Sequence, residues 1–303
     1  RVTPMRRPSV VAAGFALIDG QAVDPDGIVF INQAPDRWGR LLLACVEPGE
    51  VSARGLELAA VALRTLRHTF AASPGSAADA LLAAFAAAND ALLAENRALT
   101  TGRWERRICV GATAIAIQGR EVYVAQAAPS QAILIQDQRV YAFPDVASWR
   151  GDYVPDAIIP ESLPLGLAED PATQIFQSDA APGDLMALCA TSVGHQLARD
   201  DESLQALSDG SLVTEDLEGS VDRLERLMVR KGIVSSFAVV ASISRLGASQ
   251  QMLPMWSRSR RAVSNGSSGG RSEDVVSAPR GVVARDAVIA VAERLPRGRP
   301  APG

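Results

Sequence analysis

The chain has 303 residues, of which 48% are hydrophobic and 21% are charged, and its formal net charge is -4. This composition is typical of a globular protein and excludes a wholly disordered chain. Because 34 acidic residues outnumber 30 basic ones, the charge gives no reason to expect a nucleic-acid-binding protein. The sequence also lacks an uninterrupted apolar run of the roughly 18 residues that a membrane helix needs, so it predicts no membrane span.

Histidine and cysteine are scarce, which limits the chemistry further. The chain has only His68 and His195, and its three cysteines lie far apart in apolar runs, at Cys45, Cys109 and Cys189. A zinc site needs three or four such ligands, usually closely spaced, so we expect three buried free thiols instead. The odd number of cysteines fits a reducing compartment, and we expect a cytoplasmic protein.

The first part of the chain predicts three strands and then two helices. The strands are expected over 10–18, 27–32 and 40–47, with turn-rich segments between them. Apolar residues at helical spacing predict a helix over 51–70, and Pro74-Gly75 ends it. Ser76 with Asp79 resembles a capping box and predicts the start of the second helix.

A run of strands follows, joined by short hairpin turns. They are expected at 109–118, 121–128, 131–137 and 139–144. A proline-rich irregular excursion over 144–172 comes next. Then we expect a strand over 184–190, helices over 194–207 and 214–231, and a last strand over 236–244. Strands that bracket two helical pairs indicate an α+β fold in which two sheets pack together with helices outside.

The composition changes near residue 247, and this predicts two regions. Residues 8–246 are expected to form one domain, whereas 247–303 is rich in Ser, Gly and Arg and predicts a disordered tail with a short helix over 282–295. The tail carries nine arginines against four acidic residues, a net charge of +5, which leaves -9 on residues 1–246. Such a tail could bind an anionic partner or the chain's own acidic domain, but a solvated tether is the simplest interpretation.

Seven short motifs occur in an order that resembles the PPM-type metal-dependent protein phosphatases, the type 2C Ser/Thr phosphatases. They are NQA at 32–34, the end of LLLACVEPGE, AAFAAANDALL, GAT at 111–113, VYVAQAAPSQAIL, LPLGL, and PGDLMALCATSV. The resemblance covers residues 8–245. It implies a four-layer α-β-β-α sandwich of two mostly antiparallel sheets with helical pairs outside. It also implies two Mg²⁺ or Mn²⁺ ions, held by carboxylates, that activate a water for attack on a phosphate ester.

The residues at the family's metal-binding positions differ from the family pattern. Ala34, Pro48, Thr191 and Ser235 stand where the family has Asp, Gly, Asp and Asp, and its Gly-Asp-Ser turn reads Ala128-Pro129-Ser130. Only Glu47 retains a carboxylate. Val29 stands where the family has the arginine that binds phosphate. Because one carboxylate cannot offset two hard dications, the resemblance predicts no catalytic, metal-binding or phosphate-binding residues and no metal cofactor.

Other acidic residues and other enzyme classes are weaker candidates. Ser208-Asp209-Gly210 follows a helical pattern and is interpreted as a turn, and Asp36 and Asp184 are expected to point away from a metal site. Neither histidine lies beside a candidate nucleophile, so we expect surface or capping roles for both.

The resemblance and the missing carboxylates together predict a pseudophosphatase, that is, a catalytically inactive phosphatase-like domain that acts as a regulatory or protein-binding module. Its partner is unknown. Because the family works in Ser/Thr phosphorylation signalling, a kinase or a phosphoprotein is the candidate partner. The expected binding surface is the cleft edged by 144–172. Two alternatives stay open: a divergent active Ser/Thr phosphatase with a reduced metal site, and a structural domain tethered by its tail.

Overall fold

The computed structural model describes residues 9–32, 34–98, 107–136, 139–143, 163–200, 202–203 and 217–244. The predicted tail over 247–303, its helix over 282–295 and the turn over 208–210 lie outside the described residues, as does most of the excursion over 144–172.

Eleven strands and four helices make up the described residues. In chain order they are β1 (Ser9–Ile18), β2 (Gln21–Ala22), β3 (Val29–Ile31), β4 (Arg40–Pro48), α1 (Ala53–Ala72), α2 (Ala77–Ala98), β5 (Val110–Gln118), β6 (Glu121–Ala127), β7 (Gln131–Gln136), β8 (Arg139–Phe143), β9 (Gln174–Asp179), β10 (Leu185–Cys189), α3 (Thr191–Arg199), α4 (Leu217–Arg230) and β11 (Ser236–Ser244). A short 3-10 turn, Pro25–Gly27, precedes β3.

The strands form two antiparallel sheets. The six-stranded sheet has the order β2-β1-β11-β10-β7-β8, and the five-stranded sheet has the order β3-β4-β5-β6-β9. The inner faces of the sheets share one core with α1 and α2, which cover the outside of the five-stranded sheet. A second core lies between the six-stranded sheet and α3 with α4. The fold is therefore the predicted four-layer α-β-β-α sandwich.

Local signals explain where the two long helices begin. The Ser52 hydroxyl accepts a hydrogen bond from the Gly55 amide at 3.1 Å and caps α1. The Ser76 hydroxyl accepts one from the Asp79 amide at 3.1 Å, as the capping pattern predicted for α2. Helix α2 is also long and apolar enough to cross a membrane, but half of its most apolar window is buried inside the protein.

The structure corrects the predicted elements at β9 and at α3. Strand β9 was not predicted, because its sequence QIFQSD is polar and half-exposed at the edge of the sheet and so lacks the alternation of a buried strand. Helix α3 begins at Thr191 rather than at 194 and ends at Arg199 rather than at 207. His195 therefore lies one turn inside this helix and does not start it.

Two buried asparagines on α2 fix residues 166–169, which lie near the end of the predicted excursion. The Asn89 side chain donates to the carbonyls of Ala168 and Glu169 at 2.9 and 3.2 Å and accepts from the Gly166 amide at 2.8 Å. Asn96 donates to the Ile108 and Gly166 carbonyls, both at 2.9 Å. Irregular backbone near the core thus has its polar groups satisfied by side chains.

We expect the Asn89→Ala variant to lose about 2 kcal/mol of unfolding free energy, because three hydrogen bonds disappear and the Gly166 amide loses its partner. Chemical denaturation would measure the change. Asp90→Ala is the matched control, since its exposed neighbouring side chain should change stability by less than about 0.5 kcal/mol. Equal effects of the two substitutions would contradict the anchoring role of Asn89.

Candidate functional site

Four chain segments from both sheets converge at one edge of the sandwich. They are the end of β4, the turn between β6 and β7, the start of α3 directly after β10, and the residues before β11. The β6–β7 turn passes from the five-stranded sheet to the six-stranded one, and the Ala190 amide donates to the Phe237 carbonyl at 2.9 Å. Side chains from distant parts of the sequence therefore meet here.

The carboxylate of Glu47 links these segments by direct hydrogen bonds. Its Oε2 atom accepts from the Thr191 amide at 2.9 Å, lies 2.9 Å from the Thr191 hydroxyl, and accepts from the Ser130 hydroxyl at 3.3 Å. Helix α3 has no side-chain cap from its own N-cap residue, Ala190. Glu47 thus caps α3 from the other sheet, because an acidic group is favourable at a helix N-terminus.

Burial dominates the ionisation of Glu47. It raises the pKa of the carboxyl above its ordinary value, although the hydrogen bonds from Thr191 and Ser130 act to lower it. The Thr191 hydroxyl also lies 3.2 Å from the Pro129 carbonyl. Because a hydroxyl has one hydrogen, the Thr191 hydroxyl shares it between the Glu47 carboxylate and the Pro129 carbonyl.

The three predicted free thiols are free in the structure. Cys45 and Cys189 are buried and Cys109 is half-buried. Burial raises the pKa of all three, and the nearby Glu47 carboxylate adds a smaller effect in the same direction. Cysteines of this kind are poor nucleophiles at neutral pH.

Further contacts close this edge of the sandwich. The Ser192 hydroxyl donates to the Ser235 carbonyl at 2.9 Å, and the Gln126 side chain donates to the Ser130 carbonyl at 3.0 Å. Gly111 on β5 lies under the β6–β7 turn, where a Cβ atom would come within 2.6 Å of Pro129 Cδ. A glycine is therefore needed for the turn to approach Glu47.

Of the positions taken from the resemblance, the structure brings together Glu47, Pro48, Thr191 and Ser235. It does not bring Ala34 to them. Ala34 lies in the β3–β4 loop, beyond the hydrogen bond from the Asn32 amide to the Leu42 carbonyl, roughly 17 Å along β4 from Glu47. The expectation that an aspartate at position 34 would complete this site therefore does not fit the observed register.

Val29 is near this edge but has no access to it. It is paired with Cys45 on β4, two residues from Glu47, and its side chain is buried against Gly14 between the two sheets. A valine at this position contributes to the core and provides no group that could bind an anion.

The other acidic candidates have partners elsewhere. Asp36 forms an ion pair with buried Arg40 at 2.8 Å. Burial raises the pKa of Asp36, but hydrogen bonds from Arg40 and Trp38 outweigh this effect and leave the pKa below its ordinary value. Asp184 accepts from the Ala181 amide at 2.7 Å and from Gln136 at 2.9 Å. Both residues stabilise turns.

Within the part of the chain that the structure describes, no group of three or more His, Cys, Asp or Glu side chains lies close enough together to hold a metal ion. Oε2 of Glu47 is also already occupied by protein donors. The described residues at this edge therefore do not fit a pair of bridged hard cations, which requires several carboxylate oxygens.

No protein-family model matches the sequence, and no curated protein is significantly similar to it. Solved structures are similar in fold. The Mycobacterium tuberculosis serine/threonine phosphatase PstP/Ppp has a TM-score of 0.57 at 20% identity, over 79% of this chain and all of its own. The PPM Ser-Thr phosphatase MsPP from Mycobacterium smegmatis has 0.54 at 22% identity, over 79% of this chain and 98% of its own.

A third similar structure is PppA, described as a key regulatory component of T6SS in Pseudomonas aeruginosa. Its TM-score is 0.54 at 16% identity, over 78% of this chain and 99% of its own. Identities this low leave the fold as the shared property, and the alignments cover nearly the whole length of these solved structures. The chain has the fold of the PPM-type serine/threonine phosphatases.

Proposed function

We propose that this protein is a pseudophosphatase, a phosphatase-fold domain without phosphatase chemistry that acts as a regulatory or protein-binding module. The observation that carries the proposal is the state of Glu47. Its carboxylate, the one acidic group retained at the family's metal-binding positions, is used as a cap for α3. A group that holds two sheets together through protein hydrogen bonds is poorly placed to ligate a metal pair.

The neighbouring substitutions support the same proposal. Thr191 and Ser192 provide hydroxyls that bond directly to Glu47 and to the Ser235 carbonyl. These contacts join the end of β4, the start of α3 and the residues before β11, which carboxylates and cations would otherwise join. No metal is therefore needed to hold these segments together, and among the described residues no clustered carboxylates repel one another there.

The setting of the module follows from the family. A protein partner in Ser/Thr phosphorylation signalling, such as a kinase or a phosphoprotein, and a cytoplasmic location are consistent with this fold. The rival proposal is a divergent active Ser/Thr phosphatase with a reduced metal site. Its support is the fold alone, since the similar solved structures are described as phosphatases.

Metal titration separates the two proposals. We expect millimolar Mn²⁺ or Mg²⁺ to leave the melting temperature unchanged, whereas a specific ligand at 100 times its Kd would add about 2.7 kcal/mol of stability. We also expect no Mn²⁺-dependent hydrolysis of an aryl phosphate such as p-nitrophenyl phosphate. A saturable Mn²⁺-dependent rise in melting temperature, with hydrolysis, would establish the rival.

The matched positive control is the double variant Thr191→Asp/Ser235→Asp. It places two carboxylates beside Glu47 at the edge that the structure brings together, and it leaves out Ala34. We expect this variant to be less stable without metal, because the new charges repel Glu47, and to be stabilised by Mn²⁺. If the folded variant takes up no metal, the assignment of positions 191 and 235 from the family is wrong.

A further inference from the structure

An exposed basic patch lies on the opposite end of the five-stranded sheet from Glu47. We define this arginine patch as Arg37, Trp38, Arg64, Arg67 and His68. Arg64, Arg67 and His68 are exposed on α1, and their spacing of three and four residues places them on one helical face. Arg37 and Trp38 lie in the β3–β4 loop, about 24 Å from Glu47 by the length of β4.

The loop and the helix are joined, so the patch is one surface. Arg37 donates to the Ala72 carbonyl at the C-terminal end of α1, at 3.2 Å. Buried Arg40, in the same hairpin, donates to the Phe70 and Ser73 carbonyls at 3.0 and 2.9 Å. The β3–β4 hairpin is therefore held rigidly against the last turn of α1.

Two of the three guanidinium groups of the patch are positioned by aromatic rings. The Arg37 guanidinium lies 5.1 Å from the Trp38 ring, and that of Arg67 lies 5.3 Å from the Phe30 ring. Among the described residues, Arg37, Arg64 and Arg67 form no ion pair with a carboxylate, whereas Arg40, Arg54, Arg97 and Arg230 each do. Three unpaired arginines beside a tryptophan that is 41% exposed form an unusual surface on a region with a net charge of -9.

We propose that the arginine patch is a docking surface for an acidic segment of a protein partner. Guanidinium groups bind carboxylates with two parallel hydrogen bonds, and arginine and tryptophan, with tyrosine, are the residue types enriched where interfaces gain most of their binding energy. Pre-positioning by the Ala72 carbonyl and by the two rings reduces the entropy lost on binding.

Charge complementarity selects this occupant over two others. The chain's own tail over 247–303 has a net charge of +5 and would be repelled by the patch. A nucleic acid is a long polyanion, so it would extend beyond a patch of three arginines. The surrounding surface, which has a net negative charge, would repel it. The inference does not depend on whether the cleft near Glu47 binds metal.

The test uses the full chain and a fluorescein-labelled decaglutamate peptide, with binding followed by fluorescence anisotropy at low ionic strength. The charge-reversal variant Arg64→Glu/Arg67→Glu should weaken binding by about tenfold or more. Arg226→Glu/Arg230→Glu on α4, which covers the other sheet, changes the net charge equally and should weaken binding by less than about threefold. Trp38→Ala keeps the net charge and should also weaken binding, by about threefold or more.

Circular dichroism would check that each variant is folded. If the charge-reversal variant Arg64→Glu/Arg67→Glu does not fold, Arg64→Gln/Arg67→Gln takes its place. Three results would overturn the proposal: no binding of the acidic peptide, equal weakening by the α1 and α4 double variants, or tighter binding of a single-stranded oligonucleotide of equal charge at the same residues. The last of these would assign the patch to nucleic acid.

Discussion

The Gly111→Ala variant should be less stable than the wild type by about 3 kcal/mol, the upper end of the range for overpacking. The new Cβ atom would lie 2.6 Å from Pro129 Cδ, 2.7 Å from Ser130 Oγ and 3.0 Å from the Pro129 nitrogen. Two of these atoms belong to a proline in the β6–β7 turn, so the turn itself must move. That movement also takes Ser130 away from Glu47.

Thermal and chemical unfolding would measure this effect, and the melting temperature should fall by roughly 6–12 °C. Gly27→Ala is the matched control. Its Cβ would meet only Ala60 Cβ, at an ordinary 3.4 Å, so we expect a change of less than about 1 kcal/mol in either direction. If Gly111→Ala were as mild as the control, the turn would not be packed against β5 as described.

The second large effect concerns Glu47. The Glu47→Ala variant should lose about 2–3 kcal/mol of unfolding free energy, because it removes the cap of α3 and leaves the Thr191 amide and the Ser130 hydroxyl without their acceptor. Thr191→Val is the matched control. It retains the hydrogen bond that the backbone amide of residue 191 donates to Glu47 and loses only the hydroxyl, so we expect a loss of about 1 kcal/mol.

The Glu47→Gln variant tests the ionisation of this group. The pKa of Glu47 in the folded protein lies above the ordinary value of 4.5, which we take for the unfolded chain. At a pH between the unfolded-state and the folded-state pKa, the folded protein therefore binds the proton more tightly than the unfolded chain does. The contribution of Glu47 to stability is therefore fully present below 4.5 and falls as the pH rises through the folded-state pKa. Glutamine keeps the shape and an acceptor oxygen but does not titrate.

The melting temperature of Glu47→Gln, relative to the wild type, should therefore rise as the pH is raised from about 4 to about 8. Differential scanning calorimetry at several pH values would follow it, with Glu50→Gln, an exposed neighbour, as the control. A difference that does not depend on pH would contradict a raised pKa at Glu47. A difference of opposite slope would mean that the ionised form is the one the fold stabilises.

The fold could be predicted from the sequence where burial leaves a periodic pattern. The stripe on α1 and the apolar run of β4 were both recognised, because their side chains face cores on the inside of the sandwich. Strand β9 was missed, since an edge strand with a polar, half-exposed surface has no such pattern. Asn96 was missed because nothing in a helical sequence indicates that an asparagine will bond to the backbone of a distant loop.

The candidate site was predicted in part. The sequence identified Glu47, Thr191 and Ser235 through their resemblance to family positions, and the structure places them at one edge. The sequence could not place Ala34, because the separation of Ala34 from Glu47 depends on the register of β3 with β4. It also gave no sign that Thr191 would take the carboxylate of Glu47 as a cap, since residues 144 positions apart meet only in the folded chain.

The sequence by itself determined the α+β class and the basic composition of residues 247–303, because residue types and short-range periodicity suffice for these, and it predicted the loss of carboxylates through the resemblance. The tertiary structure alone decided what the remaining carboxylate does and where the unpaired arginines gather. Both depend on how two sheets and their helices pack. A hydrogen bond or a charged surface exists only once distant segments lie within a few ångströms of each other.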